Sequence, residues 1–295
     1  MRPSVASFAL VVLPCLCIFY FQQTRLTATS WCPDGTDCAS RQLFDKTSLQ
    51  RAGHQFGLRS ADYYRRYARA QDLEDLYAYE HFFYGVVAGT VLESGALDGI
   101  RYSTSWFFEK VAQWQAVHIE PSLLSFTALT RNRPAAVNIH SAVCDSTRRV
   151  HLLESGVGHR AAVNGIVEFM SDEFLRAWHP TLQRSDLSAI PEVLCQPVSA
   201  ILSKLGLTHI NLWILDVEGA ELLALRSVQW DKVSFDVIAV EADGTNPQKD
   251  DAVQKLLISH GYQFHSSALR SFWFVRNGFA ASARPASKFA RMTDT

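Results

Sequence analysis

The sequence predicts an α/β fold, a doubly wound and mostly parallel sheet closed by an antiparallel strand pair. Three observations predict it. An apolar run, Val86 to Leu92, ends in Glu93-Ser94-Gly95-Ala96-Leu97-Asp98-Gly99 and is followed by a helix-like segment, Trp106 to Trp114. A second apolar run, Ile210 to Leu215, flows into Asp216-Val217-Glu218-Gly219-Ala220-Glu221, with a helix opening at Leu222. Further strand-like runs also end in acids: Gln115 to Glu120, Val137 to Val143 before Asp145, and Phe235 to Glu241. Strand, glycine turn and helix is the unit from which an open parallel sheet builds a ligand crevice at its carboxyl edge.

Composition is that of an ordinary globular chain. Hydrophobic residues make up 48% of the 295 residues and charged residues 19%, enough for one large core with or without an arm. The net charge of -1 gives no electrostatic reason to expect nucleic acid.

The N-terminus comes first in chain order. Arg2 precedes an apolar run from Val5 to Phe21, interrupted only by Ser7 and Pro14. Its length is at the short end of the roughly 17–25 residues that span a bilayer. Residues 1–25 therefore read as a signal anchor, or as a signal peptide cleaved near Ala28 and Ser30. Both readings send the rest of the chain into the secretory pathway. Cys32 and Cys38 flank a Pro-Asp-Gly turn and suit a local disulfide in an oxidising lumen. Cys144 and Cys195 are either a second bridge or two buried thiols. Residues 26–84 read as a stem with lead-in helices, and 85–277 as the catalytic fold.

Gly95 and Gly99 let the backbone approach a ligand or take positive φ. Glu93 stands where a carboxylate could meet a cationic or hydroxyl group of that ligand. There is no G-x-G-x-x-G and no Gly-Lys-Ser/Thr, which counts against NAD and ATP and favours a cofactor without a phosphate chain. Glu120, at the tip of the second strand, either accepts from both ribose hydroxyls or caps the helix at Ser122. Asp145 is expected at the same edge, near an adenine ring, and His118 is expected to be a packed histidine. Val150 to Glu154 reads as an extra strand or hairpin arm. The stretch from Ser155 through His159 and Arg160 to Ile190 reads as an insertion over the carboxyl edge, a reasonable place for substrate choice. Asp216 ends a strand buried on both faces, where a partly desolvated carboxylate suits proton transfer. Glu221 in a first helical turn is also explained by the helix dipole. Helices are expected over Val198 to Leu205 and Val253 to Ser259. Tyr262 to His265 and Ser271 to Val275 form the closing pair, and 278–295 is a polar tail.

Val91 to Gly99 and Leu215 to Glu221, with Trp114 to Pro121 between them, resemble the FkbM-type S-adenosylmethionine-dependent methyltransferases. Cys144, Cys195, Pro197 and Trp230-Asp231-Lys232-Val233 resemble a eukaryotic, membrane-anchored branch of that family. The likeness runs from Tyr84 to Val275. It implies a Rossmann-like class I methyltransferase fold, S-adenosyl-L-methionine as cofactor, and O-methylation of a glycan or small hydroxylated acceptor. By position, Glu93, Gly95 and Gly99 would hold the methionine moiety, with Ala96 and Asp98 of the same turn at the cofactor. Glu120 would hold the ribose and Asp145 the adenine. Asp216, Glu218 and Glu221 would face the reaction centre, with Asp216 as the base. Bacterial members often carry Gly-Ala-Asn where this chain has Gly95-Ala96-Leu97. No metal is assigned; a metal-dependent variant would draw on Asp216, Glu241, Asp243 and Asn246. The resemblance places the domain in the Golgi or endoplasmic reticulum lumen, held at the membrane by the N-terminal segment. A second class of function is a catalytically silent relative that binds or escorts a membrane cargo.

Overall fold

A computed structural model of the protein describes residues 60–154, 164–182, 184, 187–242, 244 and 246–283. The apolar N-terminal run, Cys32, Cys38, His159, Arg160, Asp243 and the tail beyond 283 lie outside the described residues. Among the described residues no helix is long and apolar enough to cross a membrane.

The chain opens with α1 (Ala61–Arg65) and α2 (Glu74–His81), then β1 (Thr90–Ser94), α3 (Thr104–Ala112), β2 (Gln115–Glu120), α4 (Leu123–Asn132) and β3 (Val137–His140). A second group follows: β4 (Ala142–Val143), β5 (Arg148–Leu153), β6 (Gly165–Ile166), α5 (Asp172–Trp178) and β7 (Glu192–Gln196). The chain returns through α6 (Val198–Lys204), β8 (His209–Leu215), α7 (Glu221–Arg226), β9 (Ser234–Glu241), α8 (Pro247–Ser259), β10 (Tyr262–Ala268) and β11 (Ser271–Arg276). Serine side chains set several helix starts. Ser103, Ser122 and Ser171 each accept the N–H three residues on, which would otherwise be unpaired.

Seven strands form one sheet in the order β3-β2-β1-β8-β9-β11-β10. All neighbours are parallel except β11, which is antiparallel to both β9 and β10. This is the predicted doubly wound sheet with its antiparallel closure. The strand order reverses between β1 and β8, and such a reversal opens a crevice at the carboxyl ends. Side-chain alternation feeds two cores. Leu92 and Trp213 point into one face with Ile119, Ile201 and Phe235. Val91 and Leu212 point into the other with Phe107, Phe108 and Trp273.

That second core also contains Tyr64, Leu76, Tyr79, Phe82 and Phe83. The expected lead-in helices exist, but they pack on the sheet rather than ahead of it. Tyr79 meets Phe107 at 5.1 Å and Phe83 meets Trp114 at 4.8 Å between ring centroids. The aromatic residues between Tyr64 and Tyr84 are therefore part of the packed core.

β3 ends earlier than its apolar run suggests. At Ser141 the chain leaves the main sheet, and β4 pairs with β7 in a small sheet ordered β4-β7-β5-β6. Cys144 and Cys195 are joined by a disulfide that ties this sheet together, which resolves the choice between bridge and thiols. The insertion touches the loop after β8. A Cβ on Gly165 would lie 3.0 Å from Glu218 Cβ, and one on Gly219 would lie 2.7 Å from Phe169 O.

Asp75 anchors the lead-in to this core. It is fully buried, and its carboxylate accepts from the backbone N–H groups of Arg69, Ala70 and Leu76 at 2.7, 3.1 and 2.8 Å. Burial pushes it up to about 6, so it is ionised at pH 8. Asp75→Asn sets an amide N–H₂ against those donors and should cost about 1–3 kcal/mol. Urea unfolding of the full chain at pH 8 measures this, and an unchanged midpoint would refute the anchor.

Candidate functional site

The site is built where the loops after β1 and β8 cross. Gly95 has φ +87°, and a Cβ there would lie 1.8 Å from Asp216 O, so only glycine fits. Asp216 N–H donates to Ser94 O at 3.2 Å, and Gly95 N–H donates to Ile119 O at 2.9 Å. Leu97 also sits in the left-handed region, at φ +46°. Asn tolerates that conformation better than Leu, which gives a physical reason for the bacterial Gly-Ala-Asn. Asp98 shapes the turn from within, since its Oδ1 accepts from Ile100 and Arg101 N–H. Ala96 is buried beneath it.

Glu120 is locked to this turn. Its Oε2 accepts from Leu97 N–H at 2.9 Å and its Oε1 from Ser122 N–H at 2.8 Å. The carboxylate therefore faces the turn and also holds the start of α4. Each oxygen keeps a second lone pair suited to a hydroxyl donor. Burial pushes Glu120 up to about 8, against the pull of the two N–H groups and with help from Glu154 and Asp98.

Glu93 is enclosed by the start of α3. Thr104 N–H donates to it at 2.7 Å, and Ser103 Oγ lies 2.7 Å from its Oε2. Ser105 Oγ lies 2.6 Å from Glu93 Oε2 and 2.8 Å from His118 Nε2. On the far side, His118 Nδ1 is 2.8 Å from Asn138 Oδ1, and Asn138 is oriented by donating to Arg133 O. His118 Nδ1 must then carry a proton, and the single Ser105 hydroxyl proton cannot serve both Glu93 and His118. One further proton is shared by Glu93 and His118. Burial acts in the same sense, raising Glu93 and driving His118 well below its ordinary range. Arg133 closes the network. Fully buried, it donates to Gly99 O at 2.8 Å and to Glu109, Ser103 and Ser105.

The three acids after β8 have different surroundings. Glu221 is fully buried; its Oε1 accepts from Val217 and Gly219 N–H, and its Oε2 pairs with Lys249 at 2.9 Å. Burial works against the Lys249 charge, but Glu221, Glu241 and Asp250 outweigh it and hold the ammonium above its ordinary range. Glu218 takes φ +53° and lies against Gly165 of the insertion. Asp216 faces the cleft and is exposed by surface area, yet protein crowds the cleft walls around it. That enclosure, then the charges of Glu218, Glu221 and Glu74, push it up to about 8, while a hydrogen bond with Glu241 pulls it down. Oxygens of Asp216, Glu221 and Glu241 lie within 4.8 Å of one another, close enough for a cation. Glu221 already serves Lys249 there, and Asn246 Oδ1 caps α8 through Lys249 N–H. Asp145 is not brought to the cleft. It is half exposed and paired with Arg148, which holds it low.

The cleft itself encloses about 560 Å³, open solvent included. Glu93, Ser94, Gly95, Asp216 and Glu241 line it from the carboxyl edge. Gln71, Asp72 and Glu74 line it from the lead-in, and Tyr102, Arg270 and Ser271 complete it. Sequence reasoning missed this second set. The loop before α2 is brought in by an Ala70–Tyr102 bridge that no local pattern announces. Arg270 and Leu269 form the two-residue tip between β10 and β11, at φ +58° and +56°. Such turns favour Asn-Gly, and other L-residues there cost roughly 1–2 kcal/mol each. The Arg270–Glu241 pair, at 3.2 Å with the arginine side chain 51% exposed, offers at most about 1 kcal/mol in return.

Residues 93–264 match the methyltransferase FkbM domain, more than half of the 295 residues. The chain belongs to the FkbM methyltransferase family. Its sheet is the mostly parallel α/β sheet with one antiparallel strand implied by the class I resemblance. No curated protein matches the chain. Among solved structures it is similar to the FkbM methyltransferase of Methylobacillus flagellatus KT, with 15% identity and a TM-score of 0.39 over 73% of this chain. The chain spans 50% of that protein's length. It is also similar to Aeropyrum pernix fibrillarin, a structure with natively bound S-adenosyl-L-methionine, with 11% identity and a TM-score of 0.33 over 64% of this chain and 66% of that one. The family match begins at Glu93 and ends within β10, so Gln71 to Glu74 and Arg270 lie outside it.

Two measurements check the electrostatics. Nitrogen NMR of His118 at neutral pH should show Nδ1 protonated, because its partner is a carbonyl oxygen. A bare Nδ1 would refute the shared proton. Glu120 and Asp216 are raised on folding, so their contribution is complete below the ordinary carboxylate range and is lost as pH climbs to about 8. Melting temperature should fall from about pH 5 to 8, and Glu120→Gln should flatten that slope. A rising profile would contradict both assignments.

Proposed function

We propose that the protein is an S-adenosylmethionine-dependent O-methyltransferase acting on a hydroxyl acceptor, a glycan sugar or a small hydroxylated molecule, in the secretory pathway. The observation that carries the reading is the meeting of the Gly95 turn and Asp216 at the β1/β8 crevice, with Glu120 bonded to that turn through Leu97 N–H. The residues present fit the cofactor. Gly95 lets the loops after β1 and β8 cross so that the turn opens on the cleft, and Glu120 would offer its remaining acceptor lone pairs to ribose hydroxyls. Gly95, Ala96 and Gly99 shape the turn toward the methionine end. Glu93 and Asp98 act there through the backbone they hold. When bound, the cofactor supplies an electrophilic sulfonium methyl. Asp145 has no part in this reading, because Arg148 holds it at the surface.

Asp216 is the base. Of the acids after β8 it faces the cleft, whereas Glu221 is committed to Val217, Gly219 and Lys249. A pKa near the operating pH suits proton transfer, and a cation in the cleft would lower it from about 8. Glu241 shares a hydrogen bond with Asp216 and orients it. The small sheet and α5 would present the acceptor, since Phe169 and Gly165 touch the Glu218-Gly219 loop. The apolar run Val5 to Phe21 and the Cys144–Cys195 bridge support the lumenal assignment and a membrane-anchored branch.

Calorimetry with S-adenosylmethionine on the full chain tests the reading. Wild type should bind, and Glu120→Ala should weaken binding at least about tenfold through lost hydroxyl acceptors. Asp216→Asn should bind within a few-fold of wild type but lose on the order of 10²–10⁴ in turnover on a glycan panel. A folded wild-type protein that does not bind would end the enzyme reading and leave the cargo-escort class.

A further inference from the structure

Arg270 stands out on the cleft wall. Among the described residues that line the cleft, the other side chains of charged type are all acids: Asp72, Glu74, Glu93, Asp216 and Glu241. A cleft of that sign repels a carboxylate unless a cation is placed within it. Arg270 is placed there by a backbone that opposes it, since Leu269 and Arg270 both hold positive φ. The tip is fixed all the same. Ala242 N–H donates to Arg270 O at 2.8 Å, Trp273 Nε1–H donates to Ala268 O at 3.1 Å, and Ala268 pairs with Ser271. The turn holds an arginine at the cleft although glycine or asparagine would suit its backbone better.

We propose that Arg270 is the carboxylate-binding residue of the cleft. A guanidinium presents a planar fork of five N–H donors, matched to the two oxygens of a carboxylate. Glu241 takes up one terminal nitrogen, Nη2, and sets the plane of the fork. Two sources supply this chemistry: the methionine carboxylate of the cofactor, or an acceptor that carries its own acid, such as a uronic acid sugar. The inference rests on the methyltransferase reading for the first source only. It does not come from the family match, which ends at residue 264.

The test compares ligands that differ by one carboxylate, on the full chain. S-adenosylmethionine and its decarboxylated analogue are titrated into wild type, Arg270→Ala and Arg270→Lys. If the source is the cofactor, wild type prefers the carboxylated ligand at least about tenfold, because charge-assisted bonds are lost with the acid. Arg270→Ala then removes the preference while binding of the decarboxylated analogue stays within twofold, and Arg270→Lys restores part of it. If the source is the acceptor, that ratio is untouched. Glucuronic acid then binds wild type better than glucose does, with and without cofactor, and Arg270→Ala abolishes the difference. Arg270→Gly separates function from folding. It should raise the melting temperature by relieving the turn yet lose the same discrimination. Leu269→Asn should raise it and keep the discrimination. If Arg270→Ala alters neither ligand pair, the proposal is overturned. If wild type binds no S-adenosylmethionine, the functional reading fails, while the sugar arm still decides the role of Arg270.

Discussion

The approach of Gly95 to the carbonyl of Asp216 is the constraint on which the rest of the site depends. The two loops that leave β1 and β8 can cross only because one has no side chain, a Cβ there falling 1.8 Å from the carbonyl oxygen. That crossing fixes where the Gly95–Gly99 turn lies. The turn in turn presents Leu97 N–H to Glu120 and Gly99 O to Arg133. It also sets Asp216 at the mouth of the crevice rather than within the sheet. Parallel strands supply the frame, and the missing Cβ allows two of them to share one ligand space.

Around that point the protein crowds many carboxyl groups together, most of them buried. Such groups are costly when charged, and this structure meets the cost in three ways. Asp75 and Glu221 are surrounded by backbone N–H donors, and Glu221 also has Lys249. Glu93 is met by hydroxyls and shares a proton with His118. Glu120 and Asp216 are less well served and keep their protons to about pH 8.

Much of this was legible in the sequence. The runs ending in Glu93, Glu120, Asp216 and Glu241 are mostly apolar strands, and the glycines after β1 can be read as a turn because few other residues could stand there. What was not legible depends on distance in the chain. The helices before Tyr84 read only as lead-in helices because helical spacing does not name the surface a helix will meet. Their place was decided by Phe107, Phe108 and Trp273. Val137 to Val143 read as one strand because apolar content does not show where a chain changes sheet. Asp145 read as a cofactor ligand because it follows that run, but the departure at Ser141 carries it to the surface beside Arg148. Gln71 to Glu74 and Arg270 were missed because a long-range bridge and a hairpin tip bring them in, and neither has a local signature.

The acids of the Asp216-Val217-Glu218-Gly219-Ala220-Glu221 hexad show why a motif does not assign its own chemistry. All three carry the same group within six residues, yet the fold distributes them to different tasks. Glu221 begins α7 and turns back to hold Val217 and Gly219, so its charge closes the loop. Glu218 takes a left-handed backbone beside Gly219, which lets the loop turn toward the insertion. Only Asp216, still in register with the end of β8 through its bond to Ser94 O, remains on the crevice. A strand end gives a side chain fixed direction and an open side, and a helix start gives it donors. Asp216 therefore keeps an open side toward the crevice, whereas Glu221 is committed to Val217, Gly219 and Lys249. The chemistry follows from what each carboxylate has already bound.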